Sequence, residues 1–411
     1  AATLLPAIGF HYVGEEAIFP ISSLEMWYHG EWVQQRFLGA NLQHNPLFNW
    51  LIIALTGAAG WEHVLAVTRA ITIAATVGMG LVLAWLCTAL YRDTVFAAFA
   101  ALVYLTLADV FFYRGWLAYA DPLFAFFLFA AMACLWVACA RRSASLLALA
   151  VAALTCGFMT KALTAYAFYG GAALPDNTGQ AGRMFDEILA KLAPAGLADY
   201  ALKLVTYAFY TAVRLSPALL LAAYFSWQGR GSGVKFVDDC CRTALWMALI
   251  NYLPYWLAPQ SSSRYLMPLY PLAGLVIARL LWSAGAQAIS VTQRWLVAAV
   301  AVKLVIVLAA FPYYQAHYRG ANYATAAREI LKRASGHPLY TTNDSASGLS
   351  VAAHIDVLRL PDPPLTFPPA QGESGFVITY APDPKLGKIA ADFRLGGNNL
   401  YLLCRGAACP K

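Results

Sequence analysis

Two adjacent carboxylates, Glu15 and Glu16, lie near the start of the chain in the segment HYVGEEAIFP, directly after a mostly apolar stretch. A carboxylate in such a place can accept the proton of an attacking hydroxyl group. We predict Glu15 as this base and Glu16 as its support, through capping, hydrogen bonding or metal binding. Asp121, in YADPLF, is the second predicted acid and would hold substrate hydroxyl groups.

Three cationic residues are candidates for binding a phosphate group. Arg114 lies in YRGWLAYADPLF, Lys161 in GFMTKAL, and Arg264 with Tyr265 in SSSRYLMPLYP. Guanidinium and ammonium groups bind phosphate and stabilise the negative charge that a departing phosphate acquires. Arg114 could assist or pair with Asp121, whereas Asp109 is expected only to cap a helix.

A divalent cation is a further hypothesis for the acidic pair. His44, in LQHNPLFNWL, could join Glu15 or Glu16 in bridging such an ion to a phosphate, and His11 or His29 could complete the ligand set. A single histidine in a loop is more often only hydrogen-bonded. The sequence requires no cofactor.

The composition places these residues in a membrane protein. Of the 411 residues, 60% are hydrophobic and only 12% are charged, far from the usage of soluble domains. The net charge of +7 is too diffuse to indicate nucleic-acid binding, and it favours anionic lipid or phosphate as the partner.

Continuous apolar runs predict a polytopic α-helical protein. The predicted spans are His63–Tyr91, Val95–Phe112, Trp116–Ala140, Ser143–Met159, Ala201–Trp227, Thr243–Ala258, Leu266–Ser283 and Trp295–Phe311. Basic residues are enriched in cytoplasmic loops, which here would contain Arg92, Arg141, Arg142, Arg230, Lys235, Arg242 and Arg294. The acids and phosphate-binding cations would then converge on the opposite face, although arginine and lysine also snorkel at helix ends.

One stretch does not fit this alternation of sides. An even number of crossings must separate Lys161 from the span that begins at Ala201, but only the short apolar segment Ala162 to Leu174 is available. Either this segment re-enters the membrane from the outside, or residues are absent near Leu174 and Pro175. We favour absence, because a polar stretch follows abruptly.

Two short helices are expected beside the acidic pair. In ISSLEMWYHGEWVQQRF, apolar residues at helical spacing predict an amphipathic helix lying in the membrane interface, with Ser22, Ser23, Glu25 and His29 on the remaining positions. Pro46 can begin a second such helix.

The hydrophobic pattern changes after Pro312, where long apolar runs give way to short ones separated by Pro- and Gly-rich turns. Residues 313–411 predict a small α/β domain outside the membrane, with a helix in ANYATAAREILKRASG and strands in HPLYTT, AHIDVLRL, GFVITY and NLYLLC. Cys404 and Cys409 could form a disulfide there if the compartment is oxidising. The preceding residues, 1–312, would form the transmembrane catalytic domain.

The order of these motifs resembles the GT-C superfamily of membrane glycosyltransferases. The similar branch contains the protein O-mannosyltransferases and the lipid A aminoarabinose transferase, ArnT. Its pattern has an acidic pair in the first outer loop, similar to Glu15-Glu16, and then a Pro-rich motif, similar to His44-Asn45-Pro46-Leu47. It continues with an acid similar to Asp121, a T-K-G motif similar to Thr160-Lys161-Ala162, and R-Y-x-x-P-x-Y-P, which Arg264 to Pro271 match completely.

The resemblance covers residues 11–312 and implies a polyprenyl-phosphate-linked sugar as donor, direct displacement with inversion, and additional helices before residue 11 and after Lys161. Three departures, Glu15 for Asp, Asn45 for Pro and Ala162 for Gly, indicate a divergent member. The implied acceptor is an envelope molecule such as lipid A, another glycan or a protein. A lipid or polysaccharide transporter or flippase is the alternative, and a structural membrane protein is a third reading. A transporter would place polar groups at mid-membrane with repeat symmetry, which the sequence does not show.

Overall fold

The computed structural model describes residues 3–42, 45–161, 196–229, 238–259, 261–318, 322–369, 374–395 and 398–409. The chain divides into two compact units. Unit 1 comprises Ala1–Thr72, Trp116–Tyr119 and Leu304–Lys411, and unit 2 comprises Ile73–Gly115 and Ala120–Lys303. The domain division expected after residue 312 stays a prediction.

Helices dominate the described residues. The α-helices are α1 Ile18–His29, α2 Leu47–Ala59, α3 Val64–Tyr91, α4 Thr94–Leu105, α5 Asp121–Arg141, α6 Ala144–Thr160, α7 Leu197–Arg214, α8 Ala218–Gln228, α9 Asp239–Leu257, α10 Tyr270–Ser283, α11 Ala286–Val305, α12 Phe311–Tyr318, α13 Tyr323–Arg333 and α14 Ala346–Arg359. The strands are β1 Gln35–Phe37, β2 Ala40–Leu42, β3 Leu339–Thr341, β4 Gly375–Thr379, β5 Lys388–Leu395 and β6 Asn398–Arg405. Short 3₁₀ segments include Ser263–Leu269, and π-helical segments cover Asp109–Arg114 and Ile306–Ala310.

The predicted membrane character is confirmed. Within the described ranges, four helical segments are long and apolar enough to cross a membrane, and a fifth is counted if one bent helix pair is a single span. The four are Trp61–Tyr91, Asp121–Arg141, Arg264–Ser283 and Ala286–His317. Residues 162–174, where the even number of crossings was expected, lie outside the described residues.

Two predicted spans are not continuous helices. In the first, α4 ends at Leu105, where the Thr106 hydroxyl donates to the backbone carbonyl of Leu102 at 2.7 Å and so competes with the helical ladder. In the second, α7 and α8 meet at an angle of 93°. Pro217 lies at that bend. Proline lacks the amide donor that a continuous helix needs, so the helix is interrupted there.

The helix predicted after the acidic pair forms as α1, but its polar side does not face outward. Ser22, Ser23 and Glu25 are buried, and the Asn49 amide of α2 donates to the Ser23 hydroxyl at 3.0 Å. The expected polar side is therefore wrong for Ser22, Ser23 and Glu25, because α2 and the turn between β1 and β2 cover it, whereas His29 is exposed. Pro46 does precede the second helix directly, as predicted.

The C-terminal residues form a four-stranded sheet in the order β3-β4-β6-β5, with β3 and β4 parallel and the other pairs antiparallel. The predicted strands in HPLYTT, GFVITY and NLYLLC are confirmed, as is the Cys404–Cys409 disulfide. The strand predicted in AHIDVLRL is wrong, because this segment belongs to α14. Parallel neighbours need a crossover connection, and α14 lies between β3 and β4 in the chain.

Two buried acids in unit 1, Glu25 and Asp356, have backbone amides as their hydrogen-bond donors within the described ranges. Glu25 accepts hydrogen bonds from the amides of Leu38 and Gly39, at 2.5 and 3.0 Å, and so holds the turn between β1 and β2. Asp356 accepts from the Leu365 amide at 2.7 Å, while its other oxygen is buried without a hydrogen-bond partner in the part of the chain that the structure describes. Burial raises the pKa of Glu25 to about 7 and the pKa of Asp356 to about 8.

These raised pKa values predict that the free energy of unfolding of unit 1 is larger in acid than at neutral or alkaline pH. The proton is bound more tightly in the folded state, so the stabilisation is complete below the unfolded pKa values, near 4, and is lost as the pH rises to about 8. The slope is about 1.4 kcal/mol per pH unit for each group. Thermal unfolding of the full chain in detergent between pH 4 and pH 9 should show Asp356→Asn flattening this dependence. The matched change at exposed Asp362 should leave it intact, and an equal slope in both variants would contradict the prediction.

Candidate functional site

Asp121, Lys161, Tyr265 and Arg264 come together in unit 2. Helices α5 and α6 pack side by side and are joined by a tight connection, so the first residue of α5 and the residue after α6 lie at the same end. The Lys161 ammonium lies 2.5 Å from a carboxylate oxygen of Asp121 and 5.4 Å from the centre of the Tyr265 ring. The sequence predicts Lys161, Arg264 and Tyr265, together with Arg114, as phosphate-binding residues, and Asp121 as the second acid.

Arg264 occupies the exposed side of this cluster. Its guanidinium lies 5.3 Å from the Tyr265 ring centre and donates to the Tyr265 hydroxyl at 3.4 Å. The short 3₁₀ segment Ser263–Leu269 presents both residues, and the Ser262 side chain caps it. Lys161 and Arg264 bring two cationic groups to one end of α5, an arrangement that suits an anionic ligand.

Arg114 does not pair with Asp121. Its Nε atom lies 3.3 Å from a carboxylate oxygen of Asp109. The same oxygen accepts from Arg214 of α7 at 3.1 Å and from the Tyr270 hydroxyl at 2.7 Å. Asp109 is therefore a charge partner and not merely a helix cap. The pairing with Asp121 fails because the helical turn ends at Gly115, so Arg114 and Asp121 do not share a helix face.

The π-helical segment explains how Asp109 and Arg114 meet. A π-turn closes on the fifth residue, and the Gly115 amide accordingly donates to the carbonyl of Val110 at 3.1 Å. A Cβ atom on Gly115 would lie 2.2 Å from that carbonyl oxygen. Only glycine therefore permits this close turn.

The acidic pair lies in unit 1, and its two members differ sharply. Glu15 is exposed, whereas Glu16 is fully buried. The two oxygens of Glu16 accept from Arg69 at 2.9 and 2.5 Å and from the amides of Val13 and Ala118, each at 2.7 Å. Each oxygen of Glu16 therefore accepts two hydrogen bonds, and Glu16 has a structural role. Glu15 is the member of the pair whose carboxylate is accessible.

Sequence reasoning missed Arg69. It lies in the apolar helix α3, is fully buried, and donates six hydrogen bonds. Besides Glu16, its acceptors are the backbone carbonyls of Ala7, Ile8, Phe10 and His11. A cation inside an apolar run is expensive and needs a partner, which is the signal that could have found it.

The predicted metal site can be followed only in part. His44 lies outside the described residues. Among the residues that are described, no group of three histidine, cysteine, aspartate or glutamate side chains could hold a metal ion. Of the two carboxylates predicted as possible metal ligands, Glu15 and Glu16, the second already has both oxygens engaged in hydrogen bonds.

Two solved structures match this chain along its whole length. ArnT from Cupriavidus metallidurans in the apo state is 14% identical, with a TM-score of 0.64. The same protein bound to undecaprenyl phosphate is 13% identical, with a TM-score of 0.66. Each match covers 100% of this chain and 97% of the other. No family model matches the sequence, and a search of the curated proteins finds no match either.

These matches confirm the predicted fold class. The chain has the fold of ArnT, a helical membrane architecture with a small C-terminal domain that contains strands. At such low identity the likeness concerns the fold.

The Arg69–Glu16 pair generates a stability prediction. Arg69→Met would leave a buried carboxylate without its cation, which typically costs about 3–5 kcal/mol. Arg36→Met is the matched control, because Arg36 pairs with Glu31 where both side chains are about one-third exposed, and such pairs contribute at most about 1 kcal/mol. Thermal unfolding in detergent would compare them. Adding Glu16→Gln to Arg69→Met should recover part of the loss, and equal effects of the two single variants would contradict the prediction.

Proposed function

We propose that this protein is an inverting glycosyltransferase that moves a sugar from a polyprenyl-phosphate-linked donor to an envelope acceptor. The full-length likeness to ArnT supports the class, and one of the matched structures is described as bound to undecaprenyl phosphate. The observation that supports this proposal most directly is the cluster of Lys161, Arg264 and Tyr265 around Asp121. It provides the positive charge and the flanking carboxylate that a phosphate-linked donor needs.

In this proposal Arg264 and Lys161 bind the donor phosphate. Lys161 is held by Asp121 at 2.5 Å, so its position is fixed before the substrate arrives. When the bond between the anomeric carbon and the phosphate oxygen breaks, its electron pair goes to the phosphate. The two cations stabilise that charge more strongly than the charge of the intact diester. Arg114, which pairs with Asp109, is left out of this donor site.

Glu15 is proposed as the general base. The acceptor oxygen attacks the anomeric carbon from the side opposite the phosphate, and its proton passes to the Glu15 carboxylate. Exposure favours this assignment over Glu16, whose oxygens are saturated by Arg69 and backbone amides. Asp121 is proposed to hold hydroxyl groups of the sugar or the acceptor with the oxygen that Lys161 leaves accessible.

We place the protein in the bacterial inner membrane, with its C-terminal domain in the periplasm. The Cys404–Cys409 disulfide supports this assignment, because such bonds persist in oxidising compartments. The acceptor would then be a lipid A, another glycan or a protein of the envelope.

Transfer assays test this function directly. Purified protein would be incubated with radiolabelled polyprenyl-phosphate-linked sugar and candidate acceptors. Glu15→Gln should lower kcat by about 10²–10⁴-fold, the usual contribution of a general base, with the donor KM unchanged. Arg264→Ala should raise the donor KM by about tenfold or more, because a charged hydrogen bond to the phosphate is lost.

Matched controls separate these effects from general damage. Glu62→Gln changes an exposed acid of unit 1, and Arg242→Ala changes an exposed arginine of unit 2. Both should retain wild-type turnover. Full turnover by Glu15→Gln and Arg264→Ala would refute the mechanism. Movement of the lipid-linked sugar across vesicles without transfer to any acceptor would instead favour a flippase.

A further inference from the structure

Unit 2 contains a second cationic cluster that the proposed donor site does not use. Two guanidinium groups, from Arg114 and Arg214, share a single carboxylate oxygen of Asp109, at 3.3 and 3.1 Å. The Tyr270 hydroxyl donates to that same oxygen at 2.7 Å. Asp109 balances only one of the two positive charges, so the cluster carries an excess of one.

The hydrogen-bonding capacity of the cluster is also unfilled. The Nε and Nη1 atoms of Arg114 are buried without a hydrogen-bond partner in the described ranges. Nε is close to Asp109 but is poorly aligned for a hydrogen bond. Leaving a charged donor buried and unsatisfied is costly, in clear contrast with Arg69, whose three guanidinium nitrogens are all engaged.

The arginines form the accessible side of the cluster. The side chain of Asp109 is 4% exposed, that of Arg114 12% and that of Arg214 25%. The arginine side chains, that of Arg214 above all, are therefore more accessible to an anion than the carboxylate is. Among the described residues, the ion pairs of Arg114 and Arg214 are with Asp109 alone.

Asp109 connects the elements that carry this cluster. Arg114 ends the π-turn that closes at Gly115, and Tyr270 begins α10 directly after the 3₁₀ segment that presents Arg264. Asp109 thus connects the turn, the end of α7 and the start of α10. A guanidinium pair fixed in this way can bind an anion without first being ordered.

We propose that Arg114 and Arg214, held by Asp109 and Tyr270, form a second anion-binding subsite that takes a phosphate or carboxylate group. It is distinct in its contacts from the cluster of Lys161, Arg264 and Tyr265. In the proposed reaction it would bind a negative group other than the donor phosphate. The binding itself does not depend on the proposed transfer.

Binding of inorganic phosphate to the full chain in uncharged detergent, measured by calorimetry, tests the subsite. Arg264→Gln would first weaken the donor site, so that the remaining binding reports on the second one. In that background Arg214→Gln should weaken phosphate binding by about tenfold or more. Arg242→Gln, at an exposed arginine paired with Asp239, is the matched control and should change nothing.

Unchanged phosphate binding in a folded Arg214→Gln variant would overturn the proposal. If that variant does not fold, Arg214→Lys keeps the charge but loses the planar fork. It should still weaken phosphate binding several-fold, and wild-type affinity would again overturn the subsite. Because no turnover is measured, an inactive protein that still binds phosphate through Arg214 would refute only the transferase function.

The source of the anion is separated by competition. Short-chain phosphatidic acid should displace inorganic phosphate if the subsite binds a lipid headgroup, whereas phosphatidylcholine of the same chain length should not. Displacement by soluble phosphate monoesters without displacement by phosphatidic acid would assign the subsite to a soluble anion. Displacement by phosphatidylcholine as well would contradict recognition of a phosphate or carboxylate group and overturn the proposal.

Discussion

The buried ion pair between Arg69 and Glu16 is the constraint on which the N-terminal segment depends. A charge in an apolar interior is tolerated only when its partner and its hydrogen bonds are complete. Arg69 meets this condition by gathering four carbonyls of the preceding loop together with both oxygens of Glu16. The path of residues 7–16, and hence the exposure of Glu15, follows from this one side chain.

The same condition separates structural charges from those available for binding. Arg69 has every nitrogen satisfied, and it supports the fold. Lys161 has a partner in Asp121 but remains beside the exposed Arg264, as a group that receives a substrate must. Arg114 is partly buried, and two of its nitrogens, Nε and Nη1, are buried without a hydrogen-bond partner in the described part of the chain. The degree of saturation, rather than burial or charge alone, therefore indicates what each cation does.

The sequence allowed the membrane class and much of one cluster to be predicted. Apolar runs give the helices directly, and Asp121, Lys161, Arg264 and Tyr265 stand in motifs with recognisable order. The pairs of Arg69 with Glu16 and of Arg214 with Asp109 are separated by 53 and 105 residues. Such pairs leave no periodic signal, so only folding could reveal them.

Errors in the C-terminal domain and in α1 arose where the neighbours of an element decide its character. AHIDVLRL contains β-branched and apolar residues typical of a strand, but it lies in the crossover that parallel strands require. The sequence pattern placed Ser22 and Ser23 on the polar side of an interfacial helix. In the structure both are buried, because they accept hydrogen bonds from Asn49 of α2. The local sequence pattern therefore predicts that an element exists more reliably than it predicts which residues will surround that element.

The π-turn before Gly115 has a consequence for how this region can vary. It accommodates one residue more than an α-turn would, and this surplus brings Asp109 and Arg114 onto one face. Loss of one residue between them would close the segment to an ordinary α-turn, in which Asp109 and Arg114 would be four residues apart and would still lie on one face. The ion pair therefore tolerates a change of one residue in the length of this segment, provided that the turn changes between π and α with it.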